Sequence, residues 1–419
     1  MGAPCAFGLV DYPLRVTEAE VPMSPALAPA RRSLTRTAEL GPLARNPEDW
    51  AKALGPLGGR PFHGKQLFRW IHARSILDPA LMLDLPGSLR EKLSALGLAE
   101  TLTIAEERRS HDATRKLLVK MHDGSTVETV LIPRLVQSRL PSPLDDNADD
   151  ADEDDAQDDP VSNETVRVTQ CISTQVGCAM GCVFCASGVA GLKRHMNADE
   201  IVAQVIVGRS RLDENEELRN VVLMGMGEPL HNYDATVVAL KLLTHPDGIA
   251  LSSRRITVST SGLVPEIERL GKDFGGNIGL AISLHATDNE TRSKLMPINR
   301  KYPLEVLMGA LRAYPLPKRR RITIEYTLVA GRNDSQPEAK KLVKLLRGLP
   351  VKVNLIPMNP IEASSLGPPD WNGVFAFQKI LTDAGYSCFI RRQRGDDVAA
   401  ACGQLALAGA KAKVRVDRS

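Results

Sequence analysis

From Val166 onward the hydrophobic positions fall into short β-branched runs separated by stretches with helical spacing. Runs at 166–172, 220–226, 255–260, 278–284, 322–328 and 352–357 each read as a strand, with helical patterns in most of the intervals. Regular alternation of this kind predicts parallel strands with helices outside. Six units rather than eight point to an α/β fold, a partial (β/α)6 barrel whose active site gathers at the C-terminal ends of the strands. Upstream the pattern changes. Pro47, Glu48 and Asp49 open a helical region, Gln66, Leu67, Trp70 and Ile71 recur on one face within 61–74, and Leu81, Leu83, Leu85, Leu89 and Leu93 extend a small helical unit to about residue 97. Runs at 115–121 and 126–132, joined by Asp123-Gly124, predict a β-hairpin. Glu128 stands in the second run, where a lone Glu ordinarily faces water. Lys65, Arg69, His72 and Arg74 read as a solvated helix face, with nucleic-acid contact as the less common alternative.

Two segments break the patterning. Residues 1–45 are rich in Pro, Ala and Arg without a period and read as a disordered extension, and 137–165 are too acidic and too poor in apolar groups to fold alone. The expected order is therefore an extension (1–45), a helical and β accessory domain (46–136), an acidic insertion (137–165), a barrel with a C-terminal segment (166–408) and a basic tail (409–419).

Charge sharpens this picture. The chain has 53 Lys and Arg against 50 Asp and Glu, and ten of the acidic residues lie within 145–159. Outside that tract 53 positive charges face 40 negative ones, a net +13 that suits a polyanionic partner. Seven cysteines, an odd number gathered mostly near one loop, argue against a secreted disulfide framework. No stretch is long and apolar enough to span a membrane, and residues 1–30 lack a signal-peptide pattern, so a soluble cytoplasmic protein is expected.

The chemistry concentrates at Cys178, Cys182 and Cys185, a C-x3-C-x2-C loop with Phe184 before the third thiol. Closed zinc sites and electron-transfer [4Fe–4S] clusters use four protein ligands, so three thiolates predict a cluster with one iron open to a further ligand. That is the requirement of radical S-adenosylmethionine (SAM) chemistry, in which the amino and carboxylate groups of SAM chelate the open iron. A zinc knuckle recruiting Cys171 is the alternative, over a gap wider than knuckles usually have.

Polar clusters fall at successive strand ends: Gly225-Met226-Gly227-Glu228-Pro229, Ser259-Thr260-Ser261-Gly262, Ser283-Leu284-His285-Ala286 and Pro357-Met358-Asn359-Pro360. Each alone is as easily a turn or cap. Four in one barrel suit the amino, carboxylate and ribose groups of SAM. Arg254-Arg255, Lys318–Arg321 and Arg391, Arg392 and Arg394 are candidates for phosphate contact. Near the end, Asp396 and Asp397 suggest a helix cap, and on physical grounds alone Cys402 reads as a buried, inert thiol.

The stretch Gln170–Cys178, the cysteine loop, Gly225–Leu230, Ser283–Ala286 and Arg394-Gly395-Asp396-Asp397 through Ala401-Cys402-Gly403-Gln404-Leu405 together resemble the RlmN family of radical SAM adenine methyltransferases of ribosomal and transfer RNA. The likeness covers about 47–408; the extension and the acidic insertion depart from the family pattern. The resemblance implies methylation at C2 of adenosine 2503 in 23S rRNA and of adenosine 37 in tRNAs, with two SAM per turnover. It assigns cluster ligation to Cys178, Cys182 and Cys185, and SAM contact to Gly227, Glu228, Ser259, Ser283, Leu284, His285 and Asn359. It makes Cys402 an S-methylcysteine whose methyl hydrogen is taken by a 5′-deoxyadenosyl radical, Cys171 the thiol that closes a transient disulfide with Cys402, and Glu128 the proton acceptor. It further implies RNA binding by 46–136, an electron donor such as flavodoxin or ferredoxin, and a monomer; Cys5 and Cys388 have no match and read as structural. Rivals are the Cfr-like sister activity at C8 of the same rRNA adenosine, a structural-zinc RNA-binding protein, and a radical SAM enzyme of small substrates.

Overall fold

The computed structural model describes residues 40–98, 102–134, 165–361, 364–391 and 394–405. Residues 1–39 with Cys5, the acidic tract up to 164, Arg392 and the tail 409–419 lie outside them.

The first described segment is already packed: Leu43 and Ala44 are buried, and their amides donate to the buried Asp199 carboxylate at 2.5 and 3.2 Å. Helix α1 (Pro47–Leu54) starts where it does because Asn46 and Asp49 form a capping box, the Asp49 amide donating to the Asn46 side chain at 2.8 Å. Helix α2 (Pro61–Phe68) runs into a π turn at Arg69–Ala73. Its buried face is Leu67, Phe68, Ile71 and His72, while Gln66 and Trp70 of the expected face are only part-buried. The extra residue of a π turn rotates the helix face, and the 3.6-residue pattern cannot register that. Before and within α3 (Gly87–Leu96), Leu85, Leu89 and Leu93 are buried, but Leu81 and Leu83 are 56% and 77% exposed. The expected solvated cations are largely engaged: Lys65 and Arg69 pair with Asp247 at 2.9 and 2.7 Å, Arg74 lies over the Trp70 ring at 4.0 Å, and His72 is buried.

The β-hairpin is there as β2 (Arg115–Met121) and β3 (Thr126–Pro133), but β1 (Leu102–Arg109) pairs with it as a third strand. Strand β1 escaped the pattern because it is an edge strand whose end carries Glu106, Glu107, Arg108 and Arg109 in place of alternating apolar residues. Strand β3 in turn pairs antiparallel with β4 (Val166–Cys171), with Val130 opposite Cys171. The N-terminal strands and the barrel are thus one ten-stranded sheet.

A two-stranded ribbon, β5 (Gln175–Gly177) and β6 (Leu192–His195), frames the cysteine loop and the short helix α4 (Ala186–Ala190). Alternation then follows through α5 (Ala198–Arg209), β7 (Glu216–Leu223), α6 (Tyr233–Leu243), β8 (Ile256–Thr260), α7 (Val264–Phe274), β9 (Gly279–Ser283), α8 (Asn289–Leu295), α9 (Leu304–Ala313), β10 (Ile322–Leu328), α10 (Gln336–Leu345), β11 (Val351–Pro357), α11 (Trp371–Asp383) and β12 (Ser387–Ile390). Strands β4 and β7 to β12 pair in parallel in sequence order. All six expected strands are present, β7 starts four residues before the expected run, and β12 adds a short seventh. Helix α5 begins at a capping box between Asn197 and Glu200, whose carboxylate also holds Arg194 at 2.8 Å. Ile324, Tyr326, Leu328, Val353 and Leu355 are fully buried, and about 1.5–3 kcal/mol per side chain of this size fixes the strand ends as a rigid rim.

Candidate active site

The cysteine loop leaves the sheet through a turn that excludes a side chain. Gly177 has φ +78°, and a Cβ there would lie 1.9 Å from the Gly191 carbonyl oxygen. The loop is then held from two directions. The Val183 amide donates to the Leu295 carbonyl on α8 at 3.1 Å, and the Ala186 amide donates to the Gly403 carbonyl of the C-terminal segment at 2.8 Å. Cys178, Cys182 and Cys185 are free thiols on the wall of one cavity. Burial pushes the Cys178 thiol up to about 12, Cys182 well above the usual thiol value and Cys185 upward. Ligation must displace those protons, so metal binding and thiol ionisation are coupled here. Among the described residues no three His, Cys, Asp or Glu side chains converge on one metal ion. A cubane cluster takes each thiolate on a separate iron, which is the arrangement that three thiols spread over one wall can serve.

The facing wall is built from strand ends. Gly227 and Glu228 after β7, Ser259 on β8, Ser283 on β9, His285 after β9 and Asn359 after β11 all line the same cavity. Gly227 has φ +105°, and a Cβ would sit 2.6 Å from the Gln175 Cβ, so the turn closes only on glycine. Glu228 is buried, and its carboxylate accepts from the Ser261 amide at 2.7 Å, the Ser261 hydroxyl at 2.8 Å and the Leu230 amide at 3.1 Å. Burial raises its pKa against the opposing pull of those donors. His285 sits at φ +56°, and its Nδ1 accepts from the Thr327 amide at 2.8 Å, which assigns the ring proton to Nε2. Burial and the nearby Arg292 pull that ring down to about 3, so it is neutral. Leu284 differs from its neighbours: its side chain is fully buried and off the cavity wall.

The C-terminal segment brings the remaining thiol. Cys402 is exposed, contrary to its reading as a buried inert thiol, and lines the cavity together with the three loop cysteines. Its carbonyl accepts from the Asn359 side chain at 2.8 Å, and the Ser187 hydroxyl donates to Leu405 at 2.6 Å. Asp397 lies in a 3-10 turn, Asp396–Val398, rather than at an α-helix cap, and it accepts from the Ser110 hydroxyl of the β1–β2 turn. Cys171 ends β4, buried and outside the lining; burial, and next the Cys402 thiol, push it up to about 12. Glu128 is also outside the lining. Its carboxylate lies 3.0 Å from the Lys116 ammonium, and its carbonyl accepts from the Ser173 hydroxyl at 2.7 Å.

Several groups on the wall carried no signal in the sequence. Glu325 on β10 is buried and accepts from Asn354 at 3.1 Å. Arg391 lies in the cavity 3.8 Å from Glu325, whereas its sequence neighbours suggested surface phosphate contact. Of the other basic groups, Arg320 and Arg321 donate to Asn277 and Ser387, and Arg394 lies 3.9 Å from Asp112. Gln204 on α5 is fully buried and pins the residues after Cys171, accepting from the Ser173 amide at 2.9 Å and donating to its carbonyl at 2.8 Å.

Residues 172–343 match the radical SAM superfamily model, and residues 46–98 match the model of the ribosomal RNA large subunit methyltransferase N-terminal domain. A relative from Sorangium cellulosum, named dual-specificity RNA methyltransferase RlmN, is 67% identical over 91% of this chain and 99% of its own length. One of the same name from Syntrophobacter fumaroxidans is 42% identical over 85% of this chain and 94% of its own. A solved radical SAM methyltransferase from Sphaerobacter thermophilus superposes with a TM-score of 0.76 at 38% identity, covering 88% of this chain and 99% of that one. At these identities and coverages, and with the radical SAM model matching the stretch that carries the three-thiol loop and most of the polar strand ends, the chain belongs to the RlmN family of radical SAM enzymes.

Proposed function

We propose that this chain is an RNA methyltransferase acting at C2 of adenosine, at position 2503 of 23S rRNA and position 37 of tRNAs, with the methyl group carried on Cys402. The observation that carries the reading is the presence of Cys402, far along the chain, in the same cavity as Cys178, Cys182 and Cys185. C2 of adenine is neither acidic nor nucleophilic, so a polar transfer of the methyl group to it has no route. When bound, the [4Fe–4S] cluster and two molecules of SAM supply a sulfonium methyl group and a radical that removes a hydrogen from an unactivated carbon.

The chain's own groups then divide the work. Cys178, Cys182 and Cys185 hold the cluster. Glu228 receives the ammonium group of SAM, and Gly227, Ser259, Ser283, His285, Asn359 and the backbone of Leu284 contact the rest. Cys402 Sγ takes the methyl group and loses its proton; that carbon gives up one hydrogen atom while on sulfur and is joined to C2 as a methylene bridge. Glu128 accepts the C2 proton as the adduct gives back one electron. Cys171, as the thiolate, then attacks Cys402 Sγ, so that an S–S bond forms as the bond from Cys402 to the bridging carbon breaks; the electron pair of that bond stays with the carbon, which takes a proton and becomes the methyl group on the base. An external dithiol must reduce the disulfide before the next cycle.

A base reacting inside this cavity has to leave its stack, which favours loops and locally unpaired RNA. Residues 46–136 form the accessory unit that helps hold the RNA against the barrel at 166–408, with an electron donor of the flavodoxin or ferredoxin type. We read the enzyme as a cytoplasmic monomer; no described helix is long and apolar enough to cross a membrane. The test is anaerobic incubation of reconstituted protein with SAM, a reductant and an rRNA fragment or tRNA, followed by digestion and mass spectrometry of nucleosides. 2-Methyladenosine is expected. 8-Methyladenosine would move the chain to the sister activity, and neither product from a SAM-cleaving preparation would overturn the choice of substrate.

A further inference from the structure

Arg292, on α8, is completely buried, and all four of its hydrogen bonds go to neutral acceptors. Nε donates to the Leu284 carbonyl at 3.0 Å, Nη1 to the Asn299 side-chain oxygen at 3.0 Å, and Nη2 to the Ser261 and Ser283 carbonyls at 2.8 and 3.1 Å. Among the described residues no carboxylate pairs with it. A guanidinium stays charged at any working pH, and a buried charge without a counter-ion is strongly unfavourable. Four neutral acceptors satisfy its donors but not its charge.

The place of Arg292 says where the missing negative charge sits. Ser261 and Ser283 line the cavity that holds Cys178, Cys182 and Cys185, so the guanidinium lies directly behind that wall. Three residues along α8, the Leu295 carbonyl accepts from the amide of Val183, the residue after Cys182. Arg292 and the thiol loop are therefore fastened to the same short helix. Burial pulls the guanidinium down to about 10, and the one group opposing that pull is Cys182.

We propose that Arg292 is the fixed counter-charge of the iron–sulfur cluster and raises its reduction potential. The inference rests on the reading of Cys178, Cys182 and Cys185 as the cluster ligands. Three thiolates leave an oxidised cubane with net negative charge, and reduction adds one more electron; a buried cation nearby favours the reduced form. SAM cleavage begins with that electron, so Arg292 acts on catalysis through the cluster and without touching RNA.

The experiment is a spectroscopically monitored redox titration of anaerobically reconstituted wild type, Arg292→Gln and Arg292→Lys, with iron and sulfide measured in each. Arg292→Gln is expected to hold the cluster but with a more negative midpoint potential. Arg292→Lys keeps the charge while losing most of the hydrogen bonds, and is expected to stay near the wild-type potential. An unchanged potential in Arg292→Gln, or a shift in Arg292→Lys as large as in Arg292→Gln, would overturn the proposal, because the hydrogen bonds alone would then be at work. Should Arg292→Gln fail to fold, Arg292→Met, which also removes the charge, is titrated in its place with the same expected and overturning results. A wild type that takes up no iron would fail the ligand assignment instead.

Discussion

The Lys116 ammonium lies 3.0 Å from the Glu128 carboxylate, both side chains nearly buried at 9% and 12% exposure. The same nitrogen donates to the Ala399 carbonyl at 3.1 Å, three residues before Cys402. One cation on β2 thus joins the proposed proton acceptor to the segment carrying Cys402, the proposed methyl carrier. Lys116→Met strands a carboxylate and a carbonyl, at a cost of about 1–3 kcal/mol. We expect lower thermal stability and a build-up of protein–RNA adduct, with partial rescue by Lys116→Arg; thermal unfolding and denaturing gels of the reaction measure both. Adduct levels equal to wild type would remove Lys116 from the mechanism.

Cys402→Ala should abolish methylation while leaving iron content unchanged, since Cys402 is outside the three-thiol loop. Cys171→Ala should instead trap the RNA on Cys402, seen as a shifted protein band that nuclease treatment collapses. Methylation by Cys402→Ala would sink the carrier role.

Glu228→Gln replaces a carboxylate held by Ser261 and Leu230 with an amide that cannot bind an ammonium group by charge. Loss of one charge-assisted bond, about 1.5–3 kcal/mol, weakens SAM binding roughly 10- to 100-fold. Equilibrium dialysis against a cluster-loaded protein reads this directly. The pH sign follows from the upward shift of Glu228 above 4.5. The folded state holds this proton more tightly than the unfolded one, so the contribution of the group to stability is present at low pH and lost as pH rises through the folded value. SAM binding runs the other way: it needs the carboxylate, and it should fail on acidification at a higher pH than an ordinary glutamate would set.

Thiol reactivity gives a separate check. Cys402 is exposed, whereas burial holds Cys171 at about 12 and thus protonated at neutral pH. Brief alkylation at neutral pH, mapped by peptide mass spectrometry, should label Cys402 first and Cys171 last, with Cys171 labelling rising toward pH 12. Equal labelling would contradict the burial that separates them.

The parts of the site written in the sequence were those with chemistry tied to spacing. The thiols at 178, 182 and 185 and the polar strand ends at 227, 228, 259, 283, 285 and 359 met in one cavity because a parallel barrel brings its C-terminal strand ends together. What escaped was set by three-dimensional neighbours. Arg391 looked like one of a basic run and turned out to face Glu325 inside the cavity. Arg292 sat in an ordinary charged helical stretch, and only packing on α8 reveals its burial. Leu284, between two wall residues, points into the core because alternation along an extended chain sends neighbours to opposite sides. Strand β1 lacked an apolar rhythm because one of its edges has no partner.

The pairing of β3 with β4 has a mechanical side. Val130 faces Cys171 across that ladder, and the Thr129 hydroxyl donates to the Cys171 carbonyl at 2.8 Å. The ladder joins the N-terminal strands directly to the first barrel strand, so a force applied to one is felt at the other. A nucleic acid gripped by the N-terminal unit would find its reacting base and the proposed releasing thiol gauged by the same ladder, like two jaws cut from a single piece of metal.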